Sequence, residues 1–329
     1  MIGFSLYFDM DFDLENEISK YEGFDILFTS IHYPKDDKCF EKFLRLYDKA
    51  KDFGLRLCVD LNKEVLYQNP ALFDMDLILR LDYGFAAEEI ALLSKDNRIS
   101  INASTIDRDF LYEILSKGAC KDNILAIHNY YPLSFTGLGP SYFRKRNDLF
   151  TSLGIKVAAF VPGNINLRGP IYKSLPTLEE QRLKNPYLSF VELKRLYDLD
   201  FIIIAEGLEK KDLANIRNFE KNGQVSLKVE LDEAYKNIFG FRQRADISPY
   251  ILRNERKYKK IKADSPSYIK RGQILICNEK AGRYSGELEI CKKDMGLVED
   301  RNVIGKVEAY NLEIIDYIRG GDELVFDRG

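Results

Sequence analysis

The chain has 329 residues, of which 45% are hydrophobic and 31% charged, as in soluble globular proteins. Its 49 Lys and Arg residues nearly balance 52 Asp and Glu residues, and the net charge of −3 argues against nucleic acid as a partner. No apolar stretch approaches the roughly 20 residues that span a bilayer, and residues 1–9 lack the features of a secretory signal, so we expect a cytoplasmic protein with no membrane partner. The five cysteines are scattered without a C-x-x-C pair, which argues against a disulfide framework or a metal site.

Short apolar, β-branched or aromatic segments alternate with helix-like segments from residue 1 to about residue 222. The segments predicted as strands are Gly3–Phe8, Asp25–Ile31, Arg56–Asp60, Leu77–Leu81, Ile99–Asn102, Ile124–His128, Lys156–Val161 and Phe201–Ala205. Amphipathic patterns predict helices over Asp37–Phe53, Ala86–Leu93, Asp107–Leu115 and Leu208–Phe219. Eight β-α units of about 25 residues are typical of the α/β fold known as the (β/α)8 or TIM barrel, which we assign to residues 1–222. A doubly wound open sheet is the alternative, but the chain has neither a G-x-G-x-x-G turn nor a P-loop, and we expect no cofactor.

Residues 223–329 show a different pattern, in which short strands follow one another with turns between them. The strands predicted here are Val225–Leu231, Gln273–Cys277, Tyr284–Ile290, Val303–Tyr310 and Glu323–Phe326. Because little helix separates them, the pattern predicts a second, small β-domain that is closed or sandwiched.

Polar and ionisable residues follow the predicted barrel strands at the end where (β/α)8 enzymes carry their chemistry. Asp60 and Asp82 end the third and fourth strands, which should be neighbours about 4.8 Å apart. Two carboxylates so placed would come within the roughly 5–5.5 Å that retaining glycosidases use, one as the acid and the other as the nucleophile. We therefore predict Asp60 and Asp82 as the catalytic pair. The structural alternative is that either of them pairs with Arg80 or caps a following helix.

The other candidate residues suit a ligand that is rich in hydroxyl groups and carries a negative charge. Those expected to bind it at the strand ends are His32, Asn102, His128, Asn129 and Glu206. Two histidines without H-E-x-x-H or H-x-H spacing do not indicate zinc, and structural hydrogen bonds or a helix cap remain alternatives for these side chains. Arg168, after the seventh strand, and Arg242 and Arg244, between the domains, are expected to bind phosphate or carboxylate, with surface salt bridges as the alternative.

An ordered set of motifs runs through the whole chain. It comprises Phe28-Thr29-Ser30-Ile31-His32, Arg80-Leu81-Asp82-Tyr83-Gly84, Asn102-Ala103-Ser104-Thr105, His128-Asn129-Tyr130-Tyr131-Pro132, Thr136-Gly137-Leu138, Phe160-Val161-Pro162-Gly163, Arg168-Gly169-Pro170-Ile171-Tyr172, Leu175-Pro176-Thr177-Leu178-Glu179 and Arg283-Tyr284-Ser285-Gly286-Glu287-Leu288. In this order the set resembles the bacterial 6-phospho-N-acetylmuramidase family, glycoside hydrolase family 170.

The resemblance implies a TIM barrel followed by a cyclophilin-like β-domain. It also implies cytoplasmic hydrolysis of a disaccharide that bears N-acetylmuramic acid 6-phosphate at its non-reducing end, during the recycling of peptidoglycan sugars. The expected partner is therefore a small phosphorylated sugar. The residues alone leave two other classes open: a phosphosugar isomerase, epimerase or aldolase, and a non-catalytic sugar-phosphate sensor. None of the predicted strands ends in the lysine that a Schiff-base enzyme of the first class would need.

Overall fold

The structure, a computed structural model, describes residues 1–7, 13–31, 39–255 and 258–328. The chain divides into two compact units. The first comprises Met1–Ser189 and Tyr197–Leu208, and the second comprises Phe190–Leu196 and Glu209–Gly329. The boundary that we predict at residue 222 assigns the helix over residues 210–222 to the barrel, whereas in the structure this helix groups with the second unit.

The first unit is built around eight parallel strands that close into a barrel in chain order, with the last strand pairing back to the first. The strands are β1 (Ile2–Ser5), β2 (Ile26–Ser30), β3 (Arg56–Leu61), β4 (Leu77–Leu81), β5 (Arg98–Asn102), β6 (Ile124–Ile127), β7 (Lys156–Val161) and β8 (Phe201–Ile204). Every residue of these strands is buried except Asp60 and the first residues of β3, β5 and β7. This is expected for strands that are covered on both faces. The predicted (β/α)8 fold is confirmed. The end of the first predicted strand, Phe8, lies outside the described residues.

A helix follows each barrel strand in the chain, and the last of these helices groups with the second unit. They are α1 (Leu14–Ser19), α2 (Cys39–Asp52), α3 (Lys63–Gln68), α4 (Ala87–Asp96), α5 (Arg108–Ser116), α6 (Pro140–Thr151), α7 (Pro186–Leu196) and α8 (Lys210–Asn222). The sequence pattern does not predict α6 because its buried face includes Arg146 and Asn147 beside two phenylalanines, which hides the apolar period. Among the described residues, no helix is long and apolar enough to cross a membrane.

Inward-facing side chains fill the barrel and leave its C-terminal end as the place for a ligand. Alternate residues of the strands meet in one buried cluster, to which Ile26, Phe28, Cys58, Ile78, Leu125, Ile127, Ala158, Phe160, Phe201 and Ile203 contribute. Phe28 and Phe160 form its upper layer and pack edge to face at 5.1 Å between ring centroids. Tyr130 stands next to Phe160 at 5.2 Å in the same manner. An aromatic floor therefore closes the barrel beneath its C-terminal mouth.

The second unit contains a seven-stranded mixed sheet and a separate pair of strands. The elements are β9 (Gln224–Leu231), β10 (Gly240–Arg242), β11 (Ile251–Arg253), β12 (Ser267–Ile269), β13 (Gln273–Cys277), β14 (Leu288–Cys291), β15 (Gly296–Val298), β16 (Arg301–Val307), α9 (Ile314–Tyr317) and β17 (Glu323–Asp327). The order of the large sheet is β10-β17-β9-β16-β13-β14-β11, in which only β17 and β9 run parallel, and β12 pairs with β15. A separate C-terminal β-unit is thus confirmed, and its cyclophilin-like form stays a prediction. Four strands of three residues each escaped prediction because so short a segment shows no alternation.

Candidate active site

A cleft of about 210 Å³ opens at the C-terminal ends of the barrel strands. Its lining residues are Phe28, Ser30, Asp60, Arg80, Asp82, Tyr83, Asn129, Tyr130, Phe160 and Arg168. They come from β2, β3, β4 and β7 and from the segments that follow β4, β6 and β7. In the strand register Ser30 pairs with Asp60, and Asp60 pairs with Arg80, so three neighbouring strands present polar side chains at one level. The structure thus brings four predicted site residues to one cleft, namely Asp60, Asp82, Asn129 and Arg168.

The backbone changes direction directly after Asp60 and Asp82, at Asn62 and Gly84. Asn62 caps α3, because its Oδ1 accepts a hydrogen bond from the backbone N–H of Val65 at 2.8 Å. Gly84 follows β4 with a φ of 89°, a left-handed conformation that glycine adopts without strain. Neither Asp60 nor Asp82 caps a helix, so their side chains are left to face the cleft.

Arg80 is the centre of the polar cluster in the cleft. It is buried, and Asp82 follows it by two residues, so both side chains lie on the same face of β4 and its extension. Its Nη1 donates to Asp60 Oδ1 at 2.5 Å and to Asp82 Oδ1 at 3.3 Å. These two carboxylate oxygens therefore lie no more than about 5.8 Å apart, the sum of the two distances. Burial lowers the pKa of Arg80, but the charges of Asp60 and Asp82 outweigh burial and raise the pKa above its ordinary value, so the guanidinium stays charged.

The two carboxylates differ in exposure and in the length of their contact with Arg80. The Asp60 side chain is 14% exposed, and Ser30 Oγ donates to its second oxygen at 3.3 Å, so both of its oxygens have partners. The Asp82 side chain is 25% exposed, and its contact with Arg80 is the longer one. The pairing with Arg80 that we gave as the structural alternative is thus present, but it lies in a solvent-accessible cleft. Compensated charges in such a place are available for chemistry.

Asn129 is oriented from below by two donors. Arg80 Nη2 donates to its Oδ1 at 2.5 Å, and Asn102 Nδ2 donates to the same oxygen at 3.0 Å. Because the amide oxygen is occupied by both donors, the amide nitrogen of Asn129 is the group placed to donate to a ligand. Asn102 itself is only 4% exposed. Asn102 therefore lies under Asn129 and supports it, whereas a direct contact between Asn102 and the substrate was expected.

His128 also lies beneath the cleft and is fully buried. Its Nε2 donates to Asn147 Oδ1 at 2.8 Å, and its Nδ1 accepts from Ser104 Oγ at 3.1 Å. Ser104 Oγ in turn accepts the backbone N–H of Asn129 at 3.0 Å. Burial lowers the pKa of His128 to about 3, so the ring is neutral. Our expectation of direct substrate binding does not suit this geometry, in which His128 positions Asn129 through Ser104 and is itself out of a ligand's reach.

The remaining predicted residues are dispersed. His32 lies outside the described residues. Arg242 and Arg244 belong to the second unit. There the Arg244 guanidinium binds Asp246 in two-pronged fashion, at 2.8 and 3.1 Å, which is the salt bridge that we gave as its alternative. Arg242 lines a cavity of about 600 Å³ within that unit. A role for these three residues in substrate binding stays a prediction.

Glu206, which follows β8, contacts the loop after β7 that carries Arg168. Arg168 Nη1 donates to the Tyr130 hydroxyl at 3.0 Å, and the guanidinium carbon lies 3.6 Å from the centroid of the Tyr7 ring. The Glu206 carboxylate accepts the backbone N–H groups of Arg168 at 2.8 Å, Leu175 at 3.1 Å and Gly163 at 3.4 Å. Burial raises the pKa of Glu206, although these N–H donors and the charge of Arg168 oppose it. Glu206 therefore fastens the loop that carries Arg168.

Arg80 and Tyr130 line the cleft, although neither was predicted as a catalytic or substrate-binding residue. Arg80 had a signal that would have found it: it is the only charged residue in the strand Leu77–Leu81, and it stands two residues before Asp82. A charge inside a strand of a closed barrel must find a partner, and the partner lies on the adjacent strand. Tyr130 had no such signal, because a tyrosine just after a strand is as often part of the core.

The cluster has the composition of a site for acid–base and nucleophilic work on a polar ligand. It offers two carboxylates within about 5.8 Å, a buried guanidinium between them and an amide donor beside them. The cationic Arg168 stands at the rim. Within the parts of the chain that the structure describes, no group of three or more His, Cys, Asp or Glu side chains could hold a metal ion. In this cleft, Asp60 and Asp82 are placed to act as acid, base or nucleophile.

Comparisons with known proteins show the family to which the chain belongs. An N-terminal 6-phospho-N-acetylmuramidase family model matches residues 2–218, and the corresponding C-terminal model matches residues 224–327. A conserved Enterococcus faecalis protein with an unknown function is 30% identical, with a TM-score of 0.89 over 100% of this chain and 96% of that one. An uncharacterized B. cereus protein is 26% identical, with a TM-score of 0.81 over 99% of both chains. None of the curated proteins matches in sequence. Since the two family models together span nearly the whole chain, this protein belongs to the 6-phospho-N-acetylmuramidase family of glycoside hydrolases.

Proposed function

We propose that the protein hydrolyses a disaccharide bearing N-acetylmuramic acid 6-phosphate at its non-reducing end and releases this sugar phosphate. The observation that carries the proposal is the pair Asp60 and Asp82, joined by the buried Arg80 in a cleft with Arg168 at its rim. Membership in the family supports the choice of sugar. In the cell, the reaction would serve the cytoplasmic recycling of peptidoglycan sugars.

The separation of the carboxylates favours a course that retains the anomeric configuration. Retaining glycosidases place the two groups about 5–5.5 Å apart, whereas inverting enzymes need roughly 6.5–9.5 Å to admit a water molecule between carboxylate and sugar. The oxygens of Asp60 and Asp82 that share Arg80 lie no more than about 5.8 Å apart. This bound supports direct attack by one carboxylate on the sugar.

The unequal surroundings of the two carboxylates suggest which one attacks. Asp60 is the more buried and is held at both oxygens, so it is the better-oriented nucleophile. Asp82 is more exposed, which suits a group that must exchange protons with the leaving sugar and with water. In this scheme Asp82 donates its proton to the glycosidic oxygen while an Asp60 oxygen bonds to the anomeric carbon, and the leaving sugar departs with that proton. Asp82 then takes a proton from water, and the hydroxide displaces Asp60 to release the sugar phosphate.

Arg80 can change its main partner during this cycle. Its Nη1 contacts both carboxyl groups, and before the reaction, while Asp82 carries the proton that it will donate, the positive charge of Arg80 pairs with the ionised Asp60. When Asp60 becomes an ester and Asp82 has given up its proton, the negative charge lies on Asp82, and the attraction of Arg80 is directed there. Arg80 therefore stabilises Asp82 as the ionised base at the step where a base is needed.

The test compares two substrates that differ in their need for an acid. One is the 4-nitrophenyl β-glycoside of N-acetylmuramic acid 6-phosphate, whose leaving group departs with little protonation, and the other is the natural disaccharide. We expect Asp82→Asn to slow the disaccharide by on the order of 100- to 10,000-fold and the nitrophenyl glycoside much less, with azide restoring turnover as a glycosyl azide. Asp60→Asn should slow both by on the order of 1,000-fold or more. Asp76→Asn, at an exposed position before β4, is the matched control and should leave both rates unchanged.

Three results bear on the proposal in different ways. Release of nitrophenol from the phosphorylated glycoside and not from its unphosphorylated counterpart supports both the reaction and the need for an anion. Turnover within a few-fold of wild type in both Asn variants refutes the catalytic pair. Absence of hydrolysis together with tight binding of the sugar phosphate refutes the enzymatic function and favours a sensor.

A further inference from the structure

One aromatic side chain that lines the cleft is exposed to solvent. The aromatic residues of the lining are Phe28, Tyr83, Tyr130 and Phe160. Phe28 and Phe160 are buried in the floor and Tyr130 is half-buried, whereas Tyr83 is 57% exposed. Tyr83 therefore stands at the rim, where its ring offers a ligand in the cleft a large apolar surface to cover.

The polar end of Tyr83 is held by the neighbouring loop. Asn62 Nδ2 donates to the Tyr83 hydroxyl at 3.3 Å, and Asn62 is itself fixed because its Oδ1 caps α3. This contact restricts the rotation of the tyrosine side chain before any ligand arrives. Less conformational entropy is then lost when a ligand covers the ring, which favours binding.

The position of Tyr83 in the chain decides which part of a substrate it meets. Tyr83 directly follows Asp82, which in the proposed mechanism donates its proton to the glycosidic oxygen. That oxygen departs with the leaving sugar, so the leaving sugar must lie beside Asp82. Arg168, the cation at the rim, follows β7, which is three strands further round the barrel than β4. The anionic sugar and the leaving sugar are therefore directed to different sides of the mouth.

The volume of the cleft also directs the leaving sugar to the rim. About 210 Å³ equals the share of roughly seven water molecules in the liquid, which is room for about one sugar ring. When the phosphorylated sugar fills this space, the second ring of a disaccharide has to rest on the residues at the edge. Tyr83 is the exposed aromatic residue among those that line the cleft.

We propose that Tyr83 is the platform for the leaving sugar, which stacks the C–H groups of one ring face on the tyrosine ring. The face of an aromatic ring carries partial negative charge, and the C–H groups of a sugar are made partially positive by its oxygens. The inference rests on the proposed function, because the disaccharide and the role of Asp82 are taken from it. Tyr83 determines specificity for the leaving sugar and takes no part in proton transfer.

The first test measures binding without bond cleavage. Wild type, Tyr83→Ala and Tyr83→Phe are titrated calorimetrically with N-acetylmuramic acid 6-phosphate and with the sulfur-linked analogue of the natural disaccharide, whose thioglycosidic bond resists hydrolysis. We expect Tyr83→Ala to bind the sulfur-linked disaccharide about tenfold more weakly and the single sugar unchanged, and Tyr83→Phe, which keeps the ring, to stay within about threefold of wild type. Tyr112→Ala removes a ring that is 44% exposed on α5, outside the cleft, and is the control that should change neither affinity.

The second test separates stacking from an effect on Asp82. It measures kcat/KM for the natural disaccharide, for the 4-nitrophenyl β-glycoside and for the β-glycosyl fluoride of N-acetylmuramic acid 6-phosphate. The disaccharide has a leaving ring and needs an acid, the nitrophenyl glycoside has a leaving ring and little need of an acid, and the fluoride has no leaving ring. We expect Tyr83→Ala to lower kcat/KM about tenfold for the first two substrates and less than about twofold for the fluoride.

Four results overturn the inference. Slowing of the disaccharide alone would show that Tyr83 acts through Asp82, and equal slowing of all three substrates would show that it serves the phosphorylated sugar or the shape of the cleft. Unchanged affinities and rates in Tyr83→Ala, or a wild type that binds the sulfur-linked disaccharide no more tightly than the single sugar, would leave the ring without a role. If wild type hydrolyses none of the substrates, the proposed function fails, and the binding comparison still decides whether Tyr83 holds the second sugar.

Discussion

The carboxylate of Glu179 joins the loops that follow β6 and β7, and its removal should weaken the barrel in a pH-dependent way. Arg182 donates to both of its oxygens at 2.6 Å. The backbone N–H groups of Phe135 and Gly137 each donate to one oxygen at 2.7 Å. Four hydrogen bonds to a charged group therefore hold two loops of the C-terminal mouth together.

The size of this contribution follows from the pKa of Glu179. The hydrogen bonds from Arg182 lower the pKa from 4.5 to about 2, with burial opposing them and the two backbone N–H groups adding to them. Since one pKa unit corresponds to about 1.4 kcal/mol, the ionised side chain stabilises the fold by at most about 3 kcal/mol, less some screening at a side chain that is 25% exposed. Because the folded-state pKa is depressed, the contribution is complete above about pH 4.5 and is lost as the pH falls towards 2.

The assay is urea unfolding of wild type and Glu179→Gln at pH 7, 5, 4 and 3. We expect the variant to be less stable by about 2–3 kcal/mol at pH 7 and pH 5, and the difference to shrink by about 1.4 kcal/mol per pH unit below pH 4.5. Glu41→Gln, at an exposed position of α2, is the control and should follow the wild-type curve. A difference that stays constant from pH 7 to pH 3, or that is absent at pH 7, would refute the reasoning.

Three further predictions concern the surroundings of the cleft. Arg80→Met should lower the free energy of unfolding by about 3–5 kcal/mol and abolish hydrolysis, because two carboxylates lose their shared partner; wild-type urea curves would contradict this. Gly163→Ala places a Cβ 2.6 Å from the Glu206 Cβ and should lower the free energy of thermal unfolding by about 1–3 kcal/mol. Gly139→Ala is the control, because its Cβ would have nothing within 4 Å, and equal Tm values for the two variants would contradict the packing. The NMR signals of the His128 ring protons, assigned by comparison with His128→Gln, should not titrate between pH 5 and pH 8, since burial lowers the pKa of His128 to about 3. A titration midpoint near pH 6.5 would show the ring to be exposed.

The barrel could be predicted because its signal is repeated eight times along the chain. Each strand is an apolar segment buried on both faces, and small errors at the ends of single strands leave the count unchanged. The second unit was harder to predict because β10, β11, β12 and β15 have three residues each and take their structure from the strands beside them. Propensity over three residues is too weak to compete with turn formation.

The candidate site was predictable only as far as chain topology places residues. Asp60, Asp82, Asn129 and Arg168 end or follow strands, and parallel strands of a closed barrel carry all such positions to one mouth. Topology does not say which of these side chains turn inward. His128 also ends a strand, yet it is fully buried under Asn129.

The sequence by itself determined the barrel, the mouth at which chemistry can occur and the positions that follow the strands there, because strand period and chain order depend on neighbours along the chain. Only the tertiary structure decided how those residues divide the work. Arg80 lies between two carboxylates because β3 and β4 pair in one register, and Arg168, after β7, lies over the Tyr7 ring because β1 closes on β8, the neighbour of β7. Burial, charge compensation and the presence of a partner are properties of groups that meet across the barrel, far apart in the chain, and no local pattern carries them.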